Sequence, residues 1–172
     1  MKNFFAGVVV TLLVLALGTF AYLRLGWAEA RADLPPSSSE VSMMRSFLHA
    51  SIRREAPNVS NPVPPTDENL IAGGKLYLQA CAGCHGIPGK PFGGHGPILY
   101  PPIPELPVVG TDLTEAQIFF VAKRGIRYSG MFANEVWVKD ADLWAVAGYI
   151  KRMNSLPPAV KQAMDQAASK VK

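Results

Sequence analysis

The chain has little cysteine, little charge and no run of either sign. Two of its 172 residues are cysteine. Both fall inside one pentapeptide, so no pair is left for a structural disulfide. Charged residues make up 17% of the sequence, 17 basic against 13 acidic. Lys2 and Arg24 flank an apolar segment, and without them the balance is 15 to 13. The absence of basic runs and of basic–aromatic interleaving argues against a nucleic-acid partner. No set of side chains points to catalysis on a small-molecule substrate, so no catalytic residue is expected. Proline and glycine, by contrast, are plentiful at 15 each, which implies much loop. The length suits one modest domain with appendages.

Residues 4–23 carry no charged side chain. As a helix they span about 30 Å, the thickness of a bilayer's hydrocarbon core. Tyr22 and Trp27 stand near the outer end, where amphipathic aromatics favour the interface. Lys2 supplies a positive charge at one end, and Arg24 at the other blurs the orientation signal. Ala28-Glu29-Ala30 resembles a small-residue cleavage site, which leaves a signal peptide as the alternative. The apolar core is longer than the usual signal core, so residues 1–26 are expected to be an uncleaved transmembrane anchor. Gly7 and Thr11 form a small-xxx-small pair that can pack on another helix.

Residues 27–66 read as a tether. Leu34-Pro35-Pro36-Ser37-Ser38-Ser39 is a spacer by composition, and so is the proline-rich run 58–65. Between them, residues 40–55 predict a short amphipathic helix, with Val41, Met44, Leu48 and Ile52 at helical spacing. Its apolar stripe needs a cover: anionic lipid, a partner subunit, or the domain that follows.

Cys81-Ala82-Gly83-Cys84-His85 decides the rest. Two thiols at i and i+3 followed by an imidazole form the c-type haem attachment pattern. One helical turn brings both sulfurs to one side, where they can form thioethers to a single porphyrin, and the next residue offers nitrogen to the iron. A zinc site would need further ligands, and no other cysteine exists. A redox Cys-x-x-Cys expects a βαβ pattern, which is absent. Around the motif, residues 67–156 predict three helices. The first opens on Asp67 and Glu68, which suit a helix N-terminus, and runs into the motif. The second covers 111–125, where Thr114 and Gln117 fit a capping box and Gly125 a stop. The third starts at Asp140. Residues 157–172 form a tail, read as a short helix or frayed coil.

Gly73, Tyr77, Val146 and Tyr149 resemble four positions at which class I c-type cytochromes cross their N- and C-terminal helices. The loop Ile126-Arg127-Tyr128-Ser129-Gly130-Met131 is similar to the loop that brings a methionine to the iron in that family, and Gly96-Pro97-Ile98-Leu99 resembles its proline loop. Phe132 departs from the family, where many members carry proline. The resemblance implies an all-α fold around one covalent haem c, bound through Cys81 and Cys84 and preceded by a single transmembrane helix. It implies His85 and Met131 as axial ligands, the Pro97 carbonyl as acceptor for His85, and Leu99 against the haem face. His49 and His95 are the alternatives to Met131. The expected activity is one-electron transfer between redox partners, respiratory or other, with Lys90, Lys123, Arg124, Arg127 and Lys139 as candidate steering charges. Because haem is attached to such motifs outside the cytoplasm in bacteria, the expected place is the periplasmic side of the inner (cytoplasmic) membrane. Two further readings stay open: a fixed subunit of a larger membrane redox complex, and a haem enzyme or gas sensor with an open iron position.

Overall fold

A computed structural model describes residues 1–31, 33–90, 99 and 101–170. Among the described residues all regular structure is helical. The chain divides into two compact units, Met1–Leu34 and Pro35–Lys172. The first is built on α1 (Lys2–Arg24), 23 residues long and therefore about 35 Å. It is long and apolar enough to cross a membrane, and none of its residues is buried. Thr11 Oγ1 donates to the Gly7 carbonyl at 2.9 Å, so this hydroxyl needs no partner outside its own helix. Tyr22 and Trp27 meet edge to face at the C-terminal end, with ring centroids 6.3 Å apart.

The second unit holds α2 (Ser38–Glu55), α3 (Asp67–Ala80), α4 (Ala82–His85), α5 (Leu106–Val109), α6 (Glu115–Arg124), α7 (Asp140–Arg152) and α8 (Pro158–Ala168). Its starts are capped as the sequence dictates. Thr66 Oγ1 accepts from the Asn69 amide, and Thr114 with Gln117 closes the capping box of α6. Each satisfies amides that the first helical turn leaves without partners.

The core is the crossing of α3 and α7. Gly73 and Gly74 are buried on α3, and Val146, Ala147 and Tyr149 are buried on α7. A Cβ at Gly73 would fall against the carbonyl of Ala145 and 2.9 Å from the Val146 nitrogen. Only glycine lets these two backbones come so close. Tyr77 and Tyr149 lie one turn further along, with centroids 5.6 Å apart. On the other side of α7, Trp144 stacks on Phe119 of α6 at 4.1 Å.

Two appendages join this core. The 157–172 tail contributes α8, whose Val160, Met164 and Ala168 are buried. Met164 lies against α3 close to Gly74 and Tyr149, and Lys90 Nζ donates to the Ala168 carbonyl at 2.8 Å. Within the proline-rich run 58–65, Asn61 Nδ2 donates to the Trp144 carbonyl at 3.0 Å and to Glu115. Glu115 in turn accepts from Arg152 at 2.7 Å. That run is therefore stitched to α6 and α7. The 40–55 helix exists and packs on α6, with Ile52 only 4% exposed.

Candidate functional site

Cys81 is the residue at which α3 stops. Its φ of −117° and ψ of −36° turn the chain, and the next turn, α4, begins at once. The amides of Cys84 and His85 both donate back to the Cys81 carbonyl, at 3.1 and 2.9 Å. One tight turn thus holds both thiols and the imidazole. The turn is fixed at its exit by Tyr77, whose hydroxyl donates to the Gly86 carbonyl at 2.8 Å. Gly86 has a φ of 89°, a conformation that favours glycine. Burial pushes the Tyr77 hydroxyl well above the usual phenol range, and the neighbouring Cys81 pushes it the same way. Tyr77 therefore stays a neutral donor.

Neither cysteine is in a disulfide, and both are half-buried. Burial, followed by the neighbouring Cys84, pushes the Cys81 thiol up to about 11. Among the described residues no group of three or more His, Cys, Asp or Glu side chains can hold a metal ion.

His85 Nδ1 lies 2.9 Å from the carbonyl of Pro104. A carbonyl can only accept, so Nδ1 carries the proton and Nε2 keeps its lone pair. Burial holds the imidazole below its ordinary value, and the Pro104 bond opposes this only in part. The side chain is thus a neutral, oriented nitrogen donor. Pro97, expected in the acceptor role, lies outside the described residues, as does His95. The carbonyl that meets Nδ1 belongs to Pro104, further along the same proline-rich stretch. Pro104 and Glu105 lead directly into α5, which the sequence reading did not foresee.

The second half of the site is the loop after α6. Gly125 ends that helix with a φ of 69°. A Cβ there would sit 2.6 Å from the Met131 carbonyl oxygen. The Ile126 amide donates to the same oxygen at 2.8 Å, which closes residues 126–131 into a loop. Inside it, Ser129 Oγ donates to the Ile126 carbonyl at 2.7 Å and accepts from the Met131 amide at 3.1 Å. Tyr128 takes a φ of 60°, strained for a non-glycine residue. Beyond the loop, Asn134 bonds the Ala122 carbonyl through both its amide and its side chain, at 3.3 and 2.8 Å. Met131 is half-buried in this framework. The Leu99 side chain comes within 3.2 Å of where a Gly130 Cβ would stand, so Leu99 borders the Met131 loop. His49 belongs to α2 and lines an open groove with Arg45 and Arg53.

The candidate steering charges are largely engaged. Lys123 pairs with Asp140 at 2.7 Å and Arg124 with Glu135 at 2.6 Å. Lys90 is tied to the end of α8. Arg127 and Lys139 are exposed.

Comparison with known families agrees with this geometry. The family described as "Cytochrome C oxidase, cbb3-type, subunit III" matches residues 68–150, just under half of the chain. No curated protein and no solved structure matches the chain. Residues 68–150 are a class I c-type cytochrome domain, and the cofactor of such a domain is covalent haem c. The residues present fit the group: two thiols and a proton-ordered imidazole lie on one turn. The chain is a haem-containing electron-transfer protein with an N-terminal helix suited to membrane anchoring.

Proposed function

We propose that this cytochrome c domain passes single electrons between redox partners at a bacterial inner (cytoplasmic) membrane, anchored by α1 and lying on the periplasmic side. Cys81 and Cys84 would hold the haem through thioethers, and His85 and Met131 would supply nitrogen and sulfur ligands to its iron. The observation that carries the reading is His85, whose Nδ1 is committed to the Pro104 carbonyl at 2.9 Å, leaving Nε2 as a ready donor. When bound, the haem supplies a one-electron couple; the chain's part is to orient ligands and limit solvent. Met131 is supported by elimination. Of six methionines, Met1, Met43 and Met44 are exposed, whereas Met153 and Met164 are buried in the helical core. Met131 alone stands in a loop whose backbone is braced at both ends. Thioether ligation favours the reduced iron and raises the potential relative to two imidazoles.

The test is absorbance and mass on the purified chain. The expected result is one haem that survives acid extraction, a near-infrared band characteristic of ferric iron with a thioether ligand, and no response of the ferrous form to carbon monoxide. A mass equal to that of the bare polypeptide overturns the attachment, and a carbon monoxide shift overturns Met131 and supports an open iron position.

The family's printed description, an oxidase subunit, favours a second reading in which the chain is a fixed haem subunit of a membrane complex. Mild detergent extraction separates the two: a subunit copurifies in constant ratio with integral membrane partners, and a carrier runs alone. Reporter fusions at the C-terminus test sidedness.

A further inference from the structure

A hydroxyl closes the loop that carries Met131. Ile126 and Met131 face each other across its mouth but exchange only one direct hydrogen bond, from the Ile126 amide to the Met131 carbonyl at 2.8 Å. In an antiparallel pair of residues a second bond would run from the Met131 amide to the Ile126 carbonyl. Here the Ser129 hydroxyl stands between those two groups. Its Oγ accepts from the Met131 amide at 3.1 Å and donates to the Ile126 carbonyl at 2.7 Å. All four backbone polar groups at the mouth therefore have partners, and two of them depend on Ser129. Among the described residues, no other side chain of 126–131 hydrogen-bonds within the loop. Arg127 is exposed, and Tyr128 is 86% exposed while holding a φ of 60°. A strained residue whose own side chain reaches solvent needs the rest of the loop to keep it there.

From this bridge we infer that Ser129 is a positioning residue for Met131, and that its hydroxyl decides how firmly the sixth iron position is kept shut to outside ligands. The inference rests on the proposed ligation by Met131 and adds to it what holds the ligand in place. Ile126 follows Gly125, the residue at which α6 stops, and α6 buries Ile118, Phe119 and Ala122 in the core. A bond from Met131 to Ile126 is therefore a bond to the end of a core-packed helix. With Ser129 in place, two such connections fix the Met131 backbone. Without it one remains, and the chain is next held at Asn134. A methionine side chain is unbranched and flexible, so its thioether is held on an iron only as well as its backbone is held. Loss of the bridge also leaves the Ile126 carbonyl and the Met131 amide without partners in half-buried residues, which favours the open loop. A shut sixth position is what separates an electron carrier from a haem enzyme or gas sensor, and the Ser129 hydroxyl acts on that distinction.

The test is imidazole binding to the ferric full chain carrying its haem, in detergent, for wild type, Ser129→Ala and Ser129→Thr, read by loss of the near-infrared thioether band. Ser129→Ala is expected to show the band without imidazole and to bind imidazole about tenfold tighter than wild type, the effect of losing about one or two ordinary hydrogen bonds. Ser129→Thr keeps the hydroxyl and should return to the wild-type affinity. A band already weakened in Ser129→Ala and restored in Ser129→Thr supports the inference as well. Hydrogen exchange on wild type gives a second reading that needs no variant: protection across 126–131 should fall when imidazole binds, because the loop must open to release the sulfur. Equal affinities for Ser129→Ala and wild type, with the band present in both, overturn the inference and leave ligation by Met131 standing, even if Ser129→Ala melts at a lower temperature. Unchanged exchange in the imidazole adduct overturns it too. A wild type without the band overturns ligation by Met131 and this inference with it.

Discussion

The tightest contact in the protein predicts its most sensitive position. Gly73→Ala adds one methyl where α3 crosses α7. That carbon would meet the Ala145 carbonyl and come within 2.9 Å of the Val146 nitrogen. Both are backbone groups of a helix interior, so neither can rotate away as a side chain would. The helices must separate, and the buried partners next to the contact, Tyr77 and Tyr149 at 0% exposure, lose packing together. Overfilling a packed core costs about 1–3 kcal/mol, and a backbone clash belongs at the upper end. Alanine returns about 1 kcal/mol through its better helix propensity. The net expectation is a loss of about 2 kcal/mol, a fall in Tm of roughly 5–10 °C for a unit of this size. The control is Gly83→Ala in α4, where an added Cβ meets nothing within 4 Å and stability should hold within about 0.5 kcal/mol. Urea unfolding followed by far-ultraviolet circular dichroism reads both. Equal stability for Gly73→Ala and wild type, at unchanged m-value, would refute the crossing described here.

Three more outcomes follow from single groups. Tyr77→Phe removes the donor to the Gly86 carbonyl, leaves that buried acceptor unsatisfied and should cost about 1–3 kcal/mol in the same assay. Tyr149 has a buried hydroxyl with no partner among the described residues, and burial, with Asp165 adding to it, pushes it from 10 up to about 12. Because the folded value is raised, the stabilisation is complete below pH 10 and is lost as pH climbs through about 12. Thermal scans from pH 8 to 11.5 should show wild type losing stability above pH 10, and Tyr149→Phe should lose less while matching wild type at pH 8. Met131→Ala should abolish the near-infrared band and admit carbon monoxide to the ferrous form, with the fold retained by circular dichroism.

How far the sequence could be read depends on which atoms carry the information. The resemblance to class I c-type cytochromes implied the α3–α7 crossing, because Gly73, Tyr77, Val146 and Tyr149 are side chains that match that family's four crossing positions. The capping box on Thr114 and Gln117 and the stop at Gly125 were legible for the same reason, since each needs a particular side chain or its absence. The tail was not. Val160, Met164 and Ala168 fall at helical spacing, but nothing local says that a helix of 11 residues will find Gly74 as its seat. That contact exists because a glycine on α3, far away in sequence, leaves room for the Met164 sulfur. The acceptor for His85 was hidden more deeply. A carbonyl is the same in every residue, and a proline-rich stretch offers many of them, including those of Pro97, Pro101, Pro102 and Pro104. The family resemblance implied that a carbonyl of a proline loop would meet the imidazole, and pointed to Pro97 for it. Which carbonyl arrives depends on the path of the backbone, and that path is set by α5 and its start at Glu105. Replacing the Pro104 side chain would leave the acceptor itself in place. What supplies the acceptor here is the course of the loop, so no single residue type marks it.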